Sequence, residues 1–190
     1  KKEKGNLEKS RTTTTQTISN MEALIKKLYS NKEAMKKREE ELARKRAEQN
    51  RATTGNFAKM KGNLNWPVQG RVTGKFGTTR NSDTGIVTEN VGIDIRAKSG
   101  TLVQSVLDGV VSTITYIRGY GNIIIIDHGG GFSTVYAQID NITVHENEYI
   151  QMGNDIASVA IPGDNTSAKL HFEVWGNQKK LNPEQWLIRR

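Results

Sequence analysis

Four consecutive isoleucines, Ile123–Ile126, constrain the fold of this chain more than any other segment. Side chains alternate between the two faces of a β-strand, so this run is apolar on both faces. A strand of this kind is stable only where both of its faces are buried. We therefore predict a central strand over 122–127. The chain has 190 residues, which is enough for one domain of ordinary size and an appendage.

Short β-type segments follow one another from Trp66 to the C-terminus. Gly, Val, Ile and Thr are frequent there, and apolar or alternating runs are separated by Gly, Asn and Asp. This pattern predicts a mainly β domain over residues 66–190. Its strands are predicted at 71–75, 91–95, 101–105, 109–117, 122–127, 132–138, 155–159 and 169–175.

The N-terminal third has a different character. Residues 1–16 lack periodicity and are predicted to be a flexible segment, and residues 17–52 are predicted to form a helical arm. Ser19 and Glu22 fit a capping box, which predicts a first helix at about 19–29. Apolar residues follow at helical spacing and form one stripe: Ile18, Met21, Leu24, Ile25 and Leu28.

A second helix is predicted at about 31–50. Only Met35 and Leu42 are large and apolar in it, so it buries little surface and is typical of a solvated spacer or the remnant of a coiled coil. Residues 53–65 are predicted to be a linker to the β domain.

Charge and composition exclude several functions. The net charge is +8, but residues 1–66 hold 17 Lys/Arg against 8 Asp/Glu, whereas residues 67–190 hold 11 against 12. The β domain therefore has no basic stripe that would follow nucleic acid phosphates. No apolar run reaches the ~20 residues of a membrane span. We therefore predict neither nucleic-acid binding nor a membrane span in this sequence. The chain has no cysteine, which excludes disulfides and thiolate chemistry.

Four groups of residues occur in an order and spacing that resemble the lysostaphin/LytM family of zinc endopeptidases. They are Trp66-Pro67-Val68 with Phe76-Gly77, Asn90-Val91-Gly92-Ile93-Asp94-Ile95, the stretch from Gly121 through Asp127-His128-Gly129 to Tyr136-Ala137-Gln138, and Leu170-His171-Phe172-Glu173-Val174 with Asn182-Pro183 and Trp186-Leu187. The resemblance covers about residues 64–188. It implies an antiparallel β-sheet of short strands with an open groove, preceded here by the α-helical arm.

Active members of that family hold zinc through a His-x-Gly-x-Asp motif and the second His of a His-x-His motif. The corresponding ligand positions here are Asn90, Asp94 and His171. Two further histidines assist catalysis in the family, and their positions are Gln138, in the motif that begins at Tyr136, and Lys169. Asp94 and His171 keep the family pattern, and the other three positions depart from it.

Those departures argue against a working zinc site. Catalytic zinc needs three protein ligands, and a neutral Asn amide is a poor donor. Lys169 lies two residues before His171 and is expected on the same side of the strand, where its ammonium group would fill the cation position and pair with Asp94. We take His171 as a hydrogen-bonded structural residue. Without a metal or a general base, hydrolysis has no nucleophile. We predict no catalytic residue, no metal, no cofactor and no enzyme activity.

The chain resembles EnvC-type murein hydrolase activators in particular, which have a coiled coil, a helical arm and a degenerate LytM domain. The resemblance implies activation of periplasmic N-acetylmuramoyl-L-alanine amidases in cell division, through binding of the amidase's inhibitory helix. It also implies a coiled coil upstream that contacts the division apparatus, and a periplasmic location with the signal peptide outside this sequence. The groove that would bind the partner comprises Asn90, Asp94, Tyr136, Gln138, Lys169 and His171.

The first helix is expected to be an autoinhibitory arm that docks in or beside this groove through its apolar stripe. Other functions stay open: a peptidoglycan-binding or structural division protein, and an active zinc endopeptidase. Peptidoglycan also stays open as a further partner. NlpD-like activators share the degenerate domain, and only the upstream sequence would separate the two kinds of activator.

Overall fold

The computed structural model describes residues 14–27, 36–37, 40–41, 44, 57–80, 85, 87–162 and 167–190. Twelve strands in this part of the chain form one antiparallel sheet of ten and a separate two-stranded hairpin. The strands are β1 (Arg71–Gly74), β2 (Gly77–Arg80), β3 (Val87–Asn90), β4 (Ile93–Arg96), β5 (Leu102–Gln104), β6 (Gly109–Ile117), β7 (Gly121–Gly129), β8 (Phe132–Asp140), β9 (Tyr149–Ile150), β10 (Asp155–Val159), β11 (Lys169–Gly176) and β12 (Lys179–Leu181).

The main sheet has the order β1-β4-β11-β8-β7-β6-β9. Strand β10 pairs with β5 and β8, and β12 pairs with β11. The β2–β3 hairpin forms the separate two-stranded sheet. This architecture confirms the predicted mainly β, antiparallel fold with a helix before it.

Strand β7 is central and buried on both faces, as its isoleucines predict. Ile124 and Ile126 face the main core, which also contains Phe172 and Tyr136. Ile123 and its neighbour Ile125 face the opposite way. There they belong to a second cluster, here called the helix-side cluster, which comprises Met21, Ile25, Ile123, Ile125, Val135, Ala137 and Trp175.

The predicted strands correspond to β1, β4, β5, β6, β7, β8, β10 and β11, although β4 begins at Ile93 rather than at residue 91. The prediction missed the β2–β3 hairpin and the short strands β9 and β12. The hairpin has no apolar alternation to reveal it, because Thr78, Thr79, Thr88 and Glu89 are all exposed. Its strands are held by backbone pairing rather than by a buried face.

Residues 14–27 form a helix, α1, that lies on the helix-side cluster. The predicted helix start at Ser19 is therefore wrong, because residues 14–18 are already helical. Thr17 is buried, and its hydroxyl group donates a hydrogen bond to the Arg118 carbonyl oxygen, so contact with the β domain accompanies the additional helical residues. Of the predicted second helix, residues 36–37, 40–41 and 44 are helical, and its other residues lie outside the described part of the chain.

The segment predicted as a linker packs into the β domain. Residues 53–56 lie outside the described part of the chain, but Phe57–Met60 form a 3-10 helix. The Phe57 ring is buried against Phe132 and Trp186, at centroid distances of 5.0 and 5.1 Å. Leu64 is fully buried in the same core. The packed domain therefore includes residue 57, nine residues before the predicted boundary at 66.

A second 3-10 helix, Pro183–Gln185, closes the C-terminal end of the domain. In the part of the chain that the structure describes, we find no helix with the length and apolar character that crossing a membrane requires.

Candidate functional site

Strands β4 and β11 bring the central site residues together. Their antiparallel register places His171 directly opposite Asp94. Lys169 lies two residues before His171, so both side chains project from the same face of β11. This face is the one on which α1 lies, since Trp175, four residues after His171, belongs to the helix-side cluster. The site and the helix therefore share one side of the sheet.

The side chains form a continuous series of ion pairs and hydrogen bonds, here called the ion cluster: Lys169, Asp94, His171 and Glu173. The Lys169 Nζ atom lies 2.7 Å from Asp94 Oδ2, and His171 Nδ1 lies 2.8 Å from Asp94 Oδ1. On the other side of the imidazole ring, His171 Nε2 lies 3.0 Å from Glu173 Oε1. Cationic and anionic groups therefore alternate along the cluster.

The hydrogen bonds determine the protonation state of His171. Each ring nitrogen faces a carboxyl oxygen, and an ionised carboxylate only accepts, so this geometry favours a proton on both nitrogens. Burial by itself would lower the pKa of His171, but the hydrogen bonds to Asp94 and Glu173 and the charges of these groups raise it to about 9. His171 is therefore an imidazolium ion at neutral pH, with no lone pair for a metal or a proton.

Asp94 is engaged through both carboxylate oxygens. Burial would raise the pKa of Asp94, but the hydrogen bond to His171 and the charges of His171 and Lys169 hold it below its ordinary value. Its charge is thus neutralised by two side chains of the protein itself. The prediction that Lys169 pairs with Asp94 is confirmed.

Glu173 and Trp175 are site residues that the sequence analysis did not single out. Glu173 is fully buried, and its second oxygen accepts a hydrogen bond of 2.6 Å from the Trp175 indole N–H. The sequence could have predicted both, because residues two and four positions after His171 project from the same face of the strand as His171 itself. They connect the ion cluster with the helix-side cluster.

Asn90, at the first ligand position of the family motif, turns towards its own backbone. Its side-chain oxygen accepts a hydrogen bond of 3.1 Å from the Gly92 amide in the turn between β3 and β4. A side chain at Gly92 would collide with the Phe172 carbonyl oxygen, 2.2 Å from the position of a Cβ atom. The turn therefore lies directly against β11, and the Asn90 oxygen stabilises it.

Tyr136 is not part of the groove, and this part of the prediction is wrong. Its ring is fully buried in the main core against Phe172, and its hydroxyl group accepts a hydrogen bond of 3.1 Å from the Val106 amide. Regular alternation would place Tyr136 and Gln138 on one face. The register of β7 and β8 shifts at Gln138, which has a φ of 60°. This β-bulge separates the two side chains.

The other predicted groove residues do come together. Asn90, Asp94, Gln138, Lys169 and His171 line one cavity of about 680 Å³. The ring of Tyr120, from the turn between β6 and β7, lines it too and meets His171 edge-on, with a centroid distance of 4.8 Å. Burial, followed by the charges of Glu173 and Asp94, raises the pKa of Tyr120 and keeps its phenol neutral. Two further elements wall the cavity, α1 through Thr14 and Thr17 and the β2–β3 hairpin through Thr79, Thr88 and Glu89.

The predicted arm residues lie beside this cavity. Met21 and Ile25 are fully buried in the helix-side cluster, Leu24 packs against its edge, and Ile18 is half-buried. Leu28 lies outside the described residues. The Thr17 hydroxyl group donates a hydrogen bond of 3.0 Å to the Arg118 carbonyl oxygen, in the turn that carries Tyr120. The N-terminal part of α1 therefore contacts the rim of the site.

The donor set does not fit a zinc ion in this arrangement. Within the described residues, no group of three His, Cys, Asp or Glu side chains is placed to hold a metal. Both nitrogens of His171 and both oxygens of Asp94 are already engaged, and the Asn90 oxygen is directed to a backbone amide. A tetrahedral zinc site needs three free donors and an open position.

The family model described as Peptidase family M23 matches residues 88–183, just over half of the chain. The chain therefore belongs to Peptidase family M23, and the resemblance to zinc endopeptidases of the LytM type is confirmed at the level of the family.

Its relatives include two proteins of Escherichia coli (strain K12). The "Murein hydrolase activator NlpD" is 35% identical over 126 residues, which cover 66% of this chain and 31% of the relative. The "Murein hydrolase activator EnvC" is 28% identical over 136 residues, which cover 72% and 32%. The chain thus spans about a third of the length of these curated relatives.

Among solved structures, a zinc containing peptidase from Vibrio cholerae is similar, with a TM-score of 0.59 and 27% sequence identity. The similarity covers 68% of this chain and 41% of that one.

Proposed function

We propose that this chain is a non-catalytic activator of murein hydrolases, which binds a periplasmic N-acetylmuramoyl-L-alanine amidase through the groove around the ion cluster. The observation that carries the proposal is the pairing of Asp94 with Lys169 and of His171 with two carboxylates. Relatives named as murein hydrolase activators support it. Because murein is a component of the cell envelope, we place this activity in the periplasm, at sites of cell division.

The proposal that the site is degenerate rests on its charges. Lys169 and protonated His171 together bring two positive charges to the position where the family holds a divalent ion. A zinc ion entering this site would have to displace an ammonium group from Asp94 and one proton from His171. Metal binding would therefore compete with two cationic groups that already neutralise Asp94.

The kind of activator is a finer question. The identity to NlpD is 35% and the identity to EnvC is 28%, so sequence identity does not favour the EnvC type over the NlpD type. The helical arm before the β domain is the feature that favours an EnvC-like organisation. A coiled coil continuing upstream and contacting the division apparatus would be part of the same organisation.

We further propose that α1 is an autoinhibitory arm. It covers the helix-side cluster and reaches the cavity through Thr14 and Thr17. Burying Met21 and Ile25 contributes about 1.5–3 kcal/mol for each side chain. The conformational entropy that the helix loses when it docks offsets part of that gain. The net docking energy is therefore small, as a reversible arm requires.

The test is a purified amidase assay with arm variants of the full chain. Ile25→Lys places a charge in the helix-side cluster and should raise amidase activation several-fold by undocking α1. Lys26→Glu is the matched control, because Lys26 is exposed on the other side of the same helix and its substitution should leave activation unchanged. Equal activation by wild-type protein and Ile25→Lys would contradict the arm.

The two rival functions give different results. If the chain is a peptidoglycan-binding or structural division protein, no variant will activate or retain the amidase in a pull-down. If it is an active endopeptidase, incubation with zinc and cross-linked murein will release peptide, and elemental analysis will find bound zinc.

A further inference from the structure

Lys180 lies where three elements of the fold meet. It belongs to β12, where it stands directly opposite Trp175 of β11. Directly opposed residues of antiparallel strands project from the same face of a sheet. Lys180 therefore projects towards the side of the sheet that carries α1.

The ammonium group of Lys180 is placed between two carboxylates from different elements. It forms an ion pair with Glu22 of α1 and lies 3.2 Å from Glu89 Oε1 of β3. The Lys180 side chain is 23% exposed and that of Glu22 is 32% exposed, so the pair between them is partly shielded from water. Burial by itself would lower the pKa of Lys180, but its hydrogen bonds to Glu22 and Glu89 raise it. One cation thus links a helix with a hairpin.

Those two elements are also walls of the cavity beside the ion cluster. Helix α1 contributes Thr14 and Thr17, and the β2–β3 hairpin contributes Thr79, Thr88 and Glu89 itself. Along α1, Glu22 directly follows Met21 and precedes Ile25 by three residues, so it borders the apolar stripe of the helix. An ion pair at this position fixes the helix on the sheet as well as towards the hairpin.

We propose that Lys180 is a clasp that holds α1 and the β2–β3 hairpin together over the groove, so that the groove opens only when both ion pairs separate. This inference rests on the proposed role of α1 as an arm. When the Glu89 pair is lost, α1 stays attached to Lys180, and when the Glu22 pair is lost, the hairpin stays attached. Glu89 also holds the ammonium group in position for Glu22, so losing either pair weakens the other and makes opening of both walls easier.

Thiol labelling measures this opening directly, because the chain has no cysteine of its own. Val135→Cys places one thiol in the helix-side cluster, where the native side chain is fully buried below α1. Val111→Cys places a thiol in the main core, where only global unfolding exposes it. In the Val135→Cys background, Lys180→Met should accelerate labelling by roughly fivefold, the effect of losing a shielded surface ion pair. Val111→Cys should be labelled much more slowly than Val135→Cys in every variant, which identifies labelling of Val135→Cys as local opening rather than global unfolding.

The control and the single-carboxylate variants make the test specific. Lys179→Met removes the charge of an exposed neighbour on the same strand and should leave labelling at the wild-type rate. Glu22→Gln and Glu89→Gln should each accelerate labelling, by less than Lys180→Met. Acceleration by Glu22→Gln with none by Glu89→Gln would overturn the clasp, since Lys180 would then hold only the helix. Equal labelling of Lys180→Met and wild-type protein would overturn it as well.

The outcome is independent of the amidase. If Lys180→Met accelerates labelling but neither it nor Ile25→Lys changes amidase activation, the clasp stands and the proposed autoinhibition fails. If Ile25→Lys raises activation while Lys180→Met leaves labelling unchanged, the arm stands and the clasp fails.

Discussion

The ion cluster predicts a specific loss of stability at alkaline pH. The pKa of His171 is about 9 in the folded protein, against an ordinary value of 6.5. The folded state therefore binds more protons than the unfolded state between these two values, and the free energy of unfolding falls as the pH rises. The stabilisation is fully present below about pH 6.5 and is lost by the time the pH has passed about 9.

The size of the effect follows from the pKa difference. One pKa unit corresponds to about 1.36 kcal/mol, so a rise from 6.5 to about 9 corresponds to a loss of about 3 kcal/mol. His171 is almost completely buried, so solvent screens little of this energy. For a domain with a typical free energy of unfolding of about 5–15 kcal/mol, the loss is readily measured.

The assay is urea denaturation followed by circular dichroism at about pH 6, pH 7.5 and pH 9.5, the range in which this linkage operates. Wild-type protein should lose about 3 kcal/mol across the range. His171→Gln should be less stable at the lowest pH and should lack this slope, whereas His145→Gln, at an exposed histidine, should retain it. Parallel pH curves for wild-type protein and His171→Gln would refute the argument that His171 is an imidazolium ion held by two carboxylates.

Two further predictions concern the scaffold around the site. Phe57→Ala should lower the free energy of unfolding by about 3–5 kcal/mol in the same denaturation assay, because it empties a buried position against Phe132 and Trp186. Lys59→Ala, on the exposed side of the same 3-10 helix, should change it by less than about 0.5 kcal/mol, and equal effects would contradict packing of this segment in the core. Gly92→Ala should cost several kcal/mol, since its Cβ atom would lie 2.2 Å from the Phe172 carbonyl oxygen. Unchanged thermal stability of that variant would show that the turn does not press against β11.

Apolar patterning predicted the sheet well where strands bury a face. Ile123–Ile126 defined the central strand, and the alternation around His171 placed Lys169 correctly beside Asp94. The β2–β3 hairpin escaped prediction because its side chains are exposed, so its sequence carries no trace of burial. The packing of Phe57 in the core was not predicted, because a single aromatic residue in a polar segment shows no periodicity. Its partners Phe132 and Trp186 are also distant in sequence.

The errors at the site have a common physical origin in the backbone. The prediction for Tyr136 assumed uninterrupted alternation along β8, which would place Tyr136 and Gln138 on the same face. The bulge at Gln138 places the two side chains on different faces instead. A left-handed φ at a glutamine leaves no signature in the sequence. The start of α1 was predicted five residues too late because Ser19 and Glu22 form a local capping pattern, whereas the helix also includes Thr17, which is buried against the β domain.

The hydrogen bond between Trp175 and Glu173 makes the native indole a spectroscopic probe of the site. The indole N–H donates at 2.6 Å to the carboxylate that also contacts His171, and the ring packs below α1. Its emission therefore responds both to deprotonation of the imidazole and to water entering beneath the helix. With Trp66 and Trp186 replaced by phenylalanine, the fluorescence of Trp175 alone would report on both events without any attached dye.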